Sequence, residues 1–440
     1  MLGTLAQSRL IRSARGRRNH SARLPLLYAL FFVAGVAQAA IVPLLPRLSG
    51  HFDLSASQTA LLLALPGLAT LAVSVPSGLA ADRIGARRVT LGAGVLLCLS
   101  CLAQAAPSLP ALLLGRIVFG VAFGVVWTTG MAWLAELAHS SGRSGLGPAV
   151  TCSSVGIMVG PAVGGILAQH AGLGAPFAMI SAATAIIVVS LFAATAATAA
   201  TAATAGAHDV VVSARRPELA DLPLDVAYSQ PLIADRPAMT PRALMAMARR
   251  PRVSAAAAAL VVSGAVSSAS QLLISGGLHR LGLSTGRIGL AFSAAAVCYI
   301  AVSAAVVHLG GRAHTLRFNA LTTAALGLAL LPALAGGGVV ALVAALMLTA
   351  GPRAVISTIA YSLAAGQGSA DGGADGVVFG MLNGAWAAAT VLMPIVAGEL
   401  EQVAGARAAY LAVIIPSCAI AACLLAGAGG ARLAVRRVTS

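Results

Sequence analysis

Of 440 residues, 59% are hydrophobic and only 9% are charged, against about 25% charged in soluble domains, and the mean hydropathy is +0.92. That much apolar surface excludes a soluble globular fold. The net charge of +16 comes entirely from arginine scattered over short segments between apolar stretches, which excludes a nucleic-acid-binding face and points instead to orientation in a lipid bilayer.

A membrane-crossing helix needs about 20 apolar residues. Residues 1–23 form a basic tail, and an apolar run follows at 24–46. Basic leader, apolar core and "VAQAA" have the layout of a cleavable signal peptide. The run continues through "IVPLLP", however, so it reads as an uncleaved first helix. Further spans are expected at 56–80, 89–106, 110–135, 147–168 and 175–203, the last prolonged by an alanine–threonine repeat. Residues 207–253 hold Asp209, Glu218, Asp221, Asp225, Asp235 and several prolines, and read as a linker. Spans at 254–275, 287–309, 317–334, 338–362, 376–397 and 406–428 follow, and 429–440 close the chain as a basic tail. The expectation is an all-α integral membrane protein with twelve transmembrane helices, six in a bundle at 24–206 and six at 254–428.

Arginine gives the orientation. Only Arg47, Arg280, Arg287 and Arg407 fall on the side opposite the termini, whereas the tails, the linker and the remaining loops hold nearly all the others. The positive-inside asymmetry therefore puts both termini in the cytoplasm. The six cysteines lie within apolar runs and read as small buried hydrophobes. No metal or cofactor site is expected.

The halves superpose with a shift of 233 residues. Gly147 then meets Gly380, Gly156 meets Ala389, Gly160 meets Met393, Pro161 meets Pro394, Gly164 meets Ala397 and Gly165 meets Gly398. Six plus six spans with a shared local pattern indicate a duplicated, pseudo-symmetric bundle, a design common among transporters.

Between the second and third spans, "GLAADRIGARRVTL" crowds Asp82, Arg83, Arg87 and Arg88 around the turn-forming Gly85. A positive-inside loop accounts for the arginines but not for Asp82. The stretch resembles the signature loop of the major facilitator superfamily, matched by Gly78, Asp82, Arg83, Gly85 and Arg87, with Ala86 where a basic residue is usual. In the fifth span, Gly147, Gly156, Gly160, Pro161, Gly164 and Gly165 together resemble the pattern of that superfamily's drug:proton antiporters. "LLLGRIVFG" is a partial match to its fourth-helix motif through Arg116 and Gly120, with Phe119 where glutamine is common. The resemblance implies the major facilitator fold, with the Asp82 loop facing the start of the eleventh helix around Gly376 to Phe379. There the Asp82 carboxylate would favour a positive helix terminus. Glu136 is a candidate partner for Arg83 or Arg87. With Gly78, Gly85 and Arg88 these residues are the expected conformational latch.

Charges within spans are functional by default, because each costs about 2.5–3.5 kcal/mol to place at a helix centre. Arg116 shares a helix face with Trp127, and either lines a cavity or snorkels to the interface. Arg353, after Gly351-Pro352, lies deep in the tenth span or near its inner end. Tyr28, Gln38, Gln271, Asn383 and Trp386 are the remaining candidates for a substrate or proton pathway, with helix–helix contact as the alternative role for each. Asn383 and Trp386 share one face.

All twelve acids lie in loops or near span ends. Proton-coupled members usually keep a carboxylate at mid-membrane, so coupling runs through Glu136, Asp53, Arg116 or a histidine, or the protein is a facilitator. The expected function is alternating-access export of a hydrophobic or amphipathic small molecule, with protons as the coupling ion implied by the resemblance. The working form is a monomer in the inner (plasma) membrane. A metabolite importer or uncoupled facilitator is the alternative in the same fold, and a non-transporting sensor or scaffold the alternative outside it. Clustered intramembrane His, Asp or Glu, which an enzyme would need, are not found in the spans.

Overall fold

The computed structural model describes residues 23–141, 146–213, 241–309, 315–336, 338–364 and 375–439. Helix α1 covers Arg23–His51, tightened into a 3₁₀ turn at Val42–Leu44. α2 is Ala56–Ile84, α3 is Ala86–Ala105 and α4 begins as Leu109–Val125. α4 then passes through a π turn at Val126–Gly130 into Met131–Ser141. α5 is Leu146–Ala171 and α6 is Ala175–Ser213. After a short helix, Pro241–Ala248, come α7 (Pro251–Arg280), α8 (Thr285–Leu309), α9 (Leu316–Leu334) and α10 (Gly338–Ala364). The last helical run, Asp375–Thr439, is 65 residues long and breaks at Gly405 (φ 81°, ψ 170°) into α11 (375–404) and α12 (406–439). Each of the twelve expected spans thus falls on one helix, in two pseudo-symmetric six-helix bundles. The alanine–threonine repeat is helical and carries α6 to Ser213.

Local chemistry sets the boundaries that matter for function. Ser55 opens α2 with a capping box, its hydroxyl accepting from the Gln58 backbone while the Gln58 side chain accepts from the Ser55 amide. Gly85 ends α2 at φ 91°, a left-handed conformation that favours glycine, and turns the chain directly into α3. An even number of crossings returns the chain to the face on which it starts. That face is called terminal below, and the opposite one distal.

Lipid gives helices no hydrophobic reason to associate, so close backbone approach has to. α5 shows how this is done. Gly156, Gly160 and Gly164 are four apart, and a side chain on any of them would strike α1: Phe32 and Val36, then Val36 and Ala39, then Ala40. Gly35 of α1 meets Ser153 of α5 in return. Gly165 points the other way, against the Thr285 carbonyl that begins α8. One helix therefore packs closely on two sides, on α1 of its own half and on α8 of the other.

The repeat mate of Gly165 does the same job. Gly398 of α11 sits against Ala56, the first residue of α2, its missing Cβ 2.8 Å from the Ala56 carbonyl oxygen. The two glycines that the repeat superposes are thus the two distal joints between the halves. Around them, Ser57 donates to Gln402 at 2.9 Å and the Gly286 amide to Gln169 at 3.2 Å. The Ala162 amide also donates to Ser293, at 3.0 Å. Contact between the halves continues to mid-helix, where the Cβ position of Gly67 on α2 lies 2.6 Å from the Val391 side chain of α11. Gly380 and Gly384 of α11 have open space where a side chain would stand, and Asn383 and Trp386 are exposed.

Candidate functional site

The halves meet through α2 and α5 on one side and α8 and α11 on the other. In the N-terminal half, Trp127 lies on the π turn of α4 with its ring 5.4 Å from Phe31 and 6.2 Å from Phe123. Its indole N–H is buried without a partner. The π turn is steadied by a hydroxyl pair, Thr90 to Thr129 at 2.8 Å. Such turns recur at functional positions because they re-aim a side chain within a helix.

In the C-terminal half, Arg353 stands midway along α10, its guanidinium carbon 5.6 Å from the centre of the Tyr299 ring on α8. Arg353 is part-buried and its Nε has no hydrogen-bond partner. Two turns on, the Tyr361 hydroxyl donates to Asn383 of α11. Trp386, one turn from Asn383, is 41% exposed. α10 thus carries two pairs, Arg353 with Tyr299 of α8 and Tyr361 with Asn383 of α11, with Trp386 one turn beyond Asn383. Asn383, Trp386 and Arg353 were expected from sequence. Tyr299 and Tyr361 were not, although an aromatic hydroxyl within an apolar span is itself a visible signal.

Arg116 is placed differently. It is 1% exposed and sealed between α2, α3 and α4, its guanidinium carbon 5.4 Å from the Phe119 ring. Its Nε donates to the Leu62 carbonyl at 2.8 Å. That carbonyl precedes Pro66 by four residues, so the proline, lacking an N–H, leaves it without its helical donor. Arg116 supplies the missing hydrogen bond. Next to it Gly120 rests on the Pro66 backbone and accepts from Thr70 at 2.8 Å. Replacing Arg116 by alanine strands that carbonyl and opens a void, which is expected to destabilise the fold by about 1–3 kcal/mol from the carbonyl alone. Thermal unfolding of the detergent-solubilised protein measures this.

The other candidates are spread out. Tyr28 packs on the core of the N-terminal half, and Gln38 is part-buried on α1. Gln271, part-buried on α7, donates to Ser267 at 3.4 Å. The 233-residue shift carries Gln38 onto Gln271, so the two are repeat mates on the first helix of each half. In the α2–α3 turn, Arg83 and Arg88 are exposed and Arg87 is half-buried. Glu136 is exposed, and among the described residues no ion pair joins it to Arg83 or Arg87. The side chain of Asp82 and the surroundings of Gly147 lie outside the described residues.

The model of the Major Facilitator Superfamily matches residues 27–372. The chain belongs to this superfamily. Among curated major facilitator relatives, the chain is 30% identical over 154 residues to the MFS-type transporter ppzB of Metarhizium rileyi, covering 33% of this chain and 32% of that one. It is 30% identical over 166 residues to an uncharacterized MFS-type transporter of Yersinia pestis, covering 37% of this chain and 42% of the relative. The matched stretch thus spans a third to two fifths of these relatives. In fold, the chain is similar to a POT family transporter solved with a thioalcohol-conjugated peptide, with a TM-score of 0.66 at 14% identity over 92% of this chain and 95% of that one. It is also similar to a bacterial homologue of the lysosomal transporter Spinster, solved inward-facing and unoccupied, with a TM-score of 0.64 at 14% identity over 95% and 97%. These likenesses establish the major facilitator fold and a multi-pass membrane protein. Within that fold, the N-terminal half carries an aromatic group around Trp127 and the C-terminal half a cationic one around Arg353.

Proposed function

We propose that this chain is a secondary transporter working by alternating access, exporting a hydrophobic or amphipathic small molecule in exchange for protons. What supports this is the joining of the two halves near the distal face through Gly165 and Gly398; a gap between them that opens toward the terminal face is part of the proposal. With both termini in the cytoplasm of a cell bounded by the inner membrane, as the arginine asymmetry supports, the gap opens inward. Exchange with protons is supported by the antiporter-type pattern of Gly147, Gly156, Gly160, Pro161, Gly164 and Gly165. The working unit is a monomer. The direct test is flux of amphipathic compounds into proteoliposomes under an imposed pH gradient. Flux that follows the gradient is the expected result, and flux indifferent to it rejects proton exchange.

A second reading, an uncoupled facilitator, is favoured by the absence of any acid from the middle of the spans in the sequence. The same gradient experiment separates the two.

Gly78, Asp82, Arg83, Gly85, Arg87, Arg88 and Glu136 form the proposed latch for the terminal face. Replacing Asp82 by asparagine is expected to slow transport severalfold while leaving the amount of protein in the membrane unchanged. Unaltered transport kinetics in this variant would remove the latch role.

A further inference from the structure

Arg353 is a cation halfway through the membrane, and among the described residues no carboxylate pairs with it. We infer that the substrate supplies the counter-charge: it carries an anionic group, a carboxylate or its equivalent, that docks on Arg353, and a flat apolar body that lies against Tyr299 and Trp386. This rests on the transporter reading above and names a substrate class for it.

The repeat gives the first argument. In the N-terminal half the crossing of α4 on α2 is closed, with Gly120 against the backbone of Pro66. A shift of 233 residues carries Gly120 onto Arg353 and Pro66 onto Tyr299. The same crossing that one half fills with its smallest residue holds, in the other, a guanidinium 5.6 Å from an aromatic ring.

Placement gives the second. Arg353, Ser357 and Tyr361 are four apart and share one face of α10. That face touches α8 through Tyr299 and α11 through Asn383. These are the two helices that contact the other half, which puts the stripe beside the interface between the halves. Arg116, the other intramembrane cation, has its Nε on Leu62 and its Nη1 buried without a partner, and differs from Arg353 in being sealed in packing at 1% exposure.

Chemistry gives the third. Arg353 Nε is buried with no partner, a state that a guanidinium in a low-dielectric site retains at a cost. A carboxylate accepts two parallel hydrogen bonds from a guanidinium and matches its fork.

The test uses the full chain in neutral phosphatidylcholine vesicles with three compounds of one shape: 2-naphthylacetate, its amide, and 2-naphthylethylamine. Uptake is expected to favour the carboxylate over the amide at least tenfold in half-saturating concentration, about 1.4 kcal/mol. Arg353→Gln is expected to erase the preference and Arg353→Lys to keep part of it. Equal uptake of all three compounds, or preference for the amine, overturns the inference while leaving the transporter reading intact. Loss of the preference when phosphatidylglycerol is added assigns Arg353 to a lipid headgroup and likewise overturns it. Protection of the chain from thermal unfolding by 2-naphthylacetate, dependent on Arg353 but without flux of any compound, upholds the anion site and overturns the transporter reading. Absence of both protection and preference overturns the inference.

Discussion

Replacing Gly164 by leucine is expected to abolish transport, and replacing it by alanine is expected to reduce it strongly. The added Cβ alone meets the carbonyl of Ala40, with the Ala40 Cα 2.9 Å away. Both are backbone atoms of a neighbouring helix, so no side chain can turn aside, and α1 and α5 must separate along their length. Overpacking of this kind costs about 1–3 kcal/mol per site. In lipid, the lost van der Waals contact is the main force holding the two helices together. A control comes from the same fold. Gly92 of α3 has nothing within 4 Å of where its Cβ would stand, so Gly92→Ala is expected to be neutral, or stabilising by up to about 1 kcal/mol from helix propensity. Transport rates and membrane abundance, measured for both variants, check the pair. Equal behaviour of the two alanine variants would falsify the role given to the ridge.

The second large effect is expected at the joints. Valine at Gly165 drives into the Thr285 carbonyl, and valine at Gly398 into Ala56 and Ala60. Neither contact holds one bundle together, because each crosses between the halves. The substitutions therefore act on the balance between conformations. A strain of about 1–3 kcal/mol moves such a balance by roughly 5- to 150-fold. Ser57, bonded to Gln402 across the joint at 2.9 Å, reports the outcome. As cysteine in a background whose native cysteines are serine, it is expected to react with a membrane-impermeant maleimide several times faster when Gly165 or Gly398 is valine. An unchanged labelling rate would show that the joints do not control closure of the distal face.

The spans were legible because lipid imposes length and hydropathy on each helix independently of its neighbours. The ridge of α5 was legible for a related reason, since glycine at a spacing of four is costly in a lone helix and useful only against another. What the ridge touches was not. Its partner is α1 of the same half, more than a hundred residues earlier, while Gly165, Pro161 and Ala162 on the opposite side reach α8 of the other half. Arg116 makes the same point. Its charge, read alone, suggested a pathway, but its partner is a carbonyl freed by Pro66, 54 positions earlier in the chain than Arg116. The proline and the arginine were both visible, and their pairing depends on how α2 crosses α4. Tyr299 and Arg353 were likewise separate letters until α8 and α10 were set side by side.

An uncompensated guanidinium halfway through an insulating layer is also an electrical component. When the gap opens to one face, Arg353 is at the potential of that face, and when it opens to the other it is at the potential of the other. A carrier that alternates without its anion thus moves the Arg353 charge, together with any proton it returns with, through the field, each charge worth about 2.3 kcal/mol per 100 mV. A carrier holding a monoanion moves none. The membrane voltage would then act on the return without substrate and leave the substrate-loaded step alone, setting the pace of the cycle through the half in which the molecule is absent.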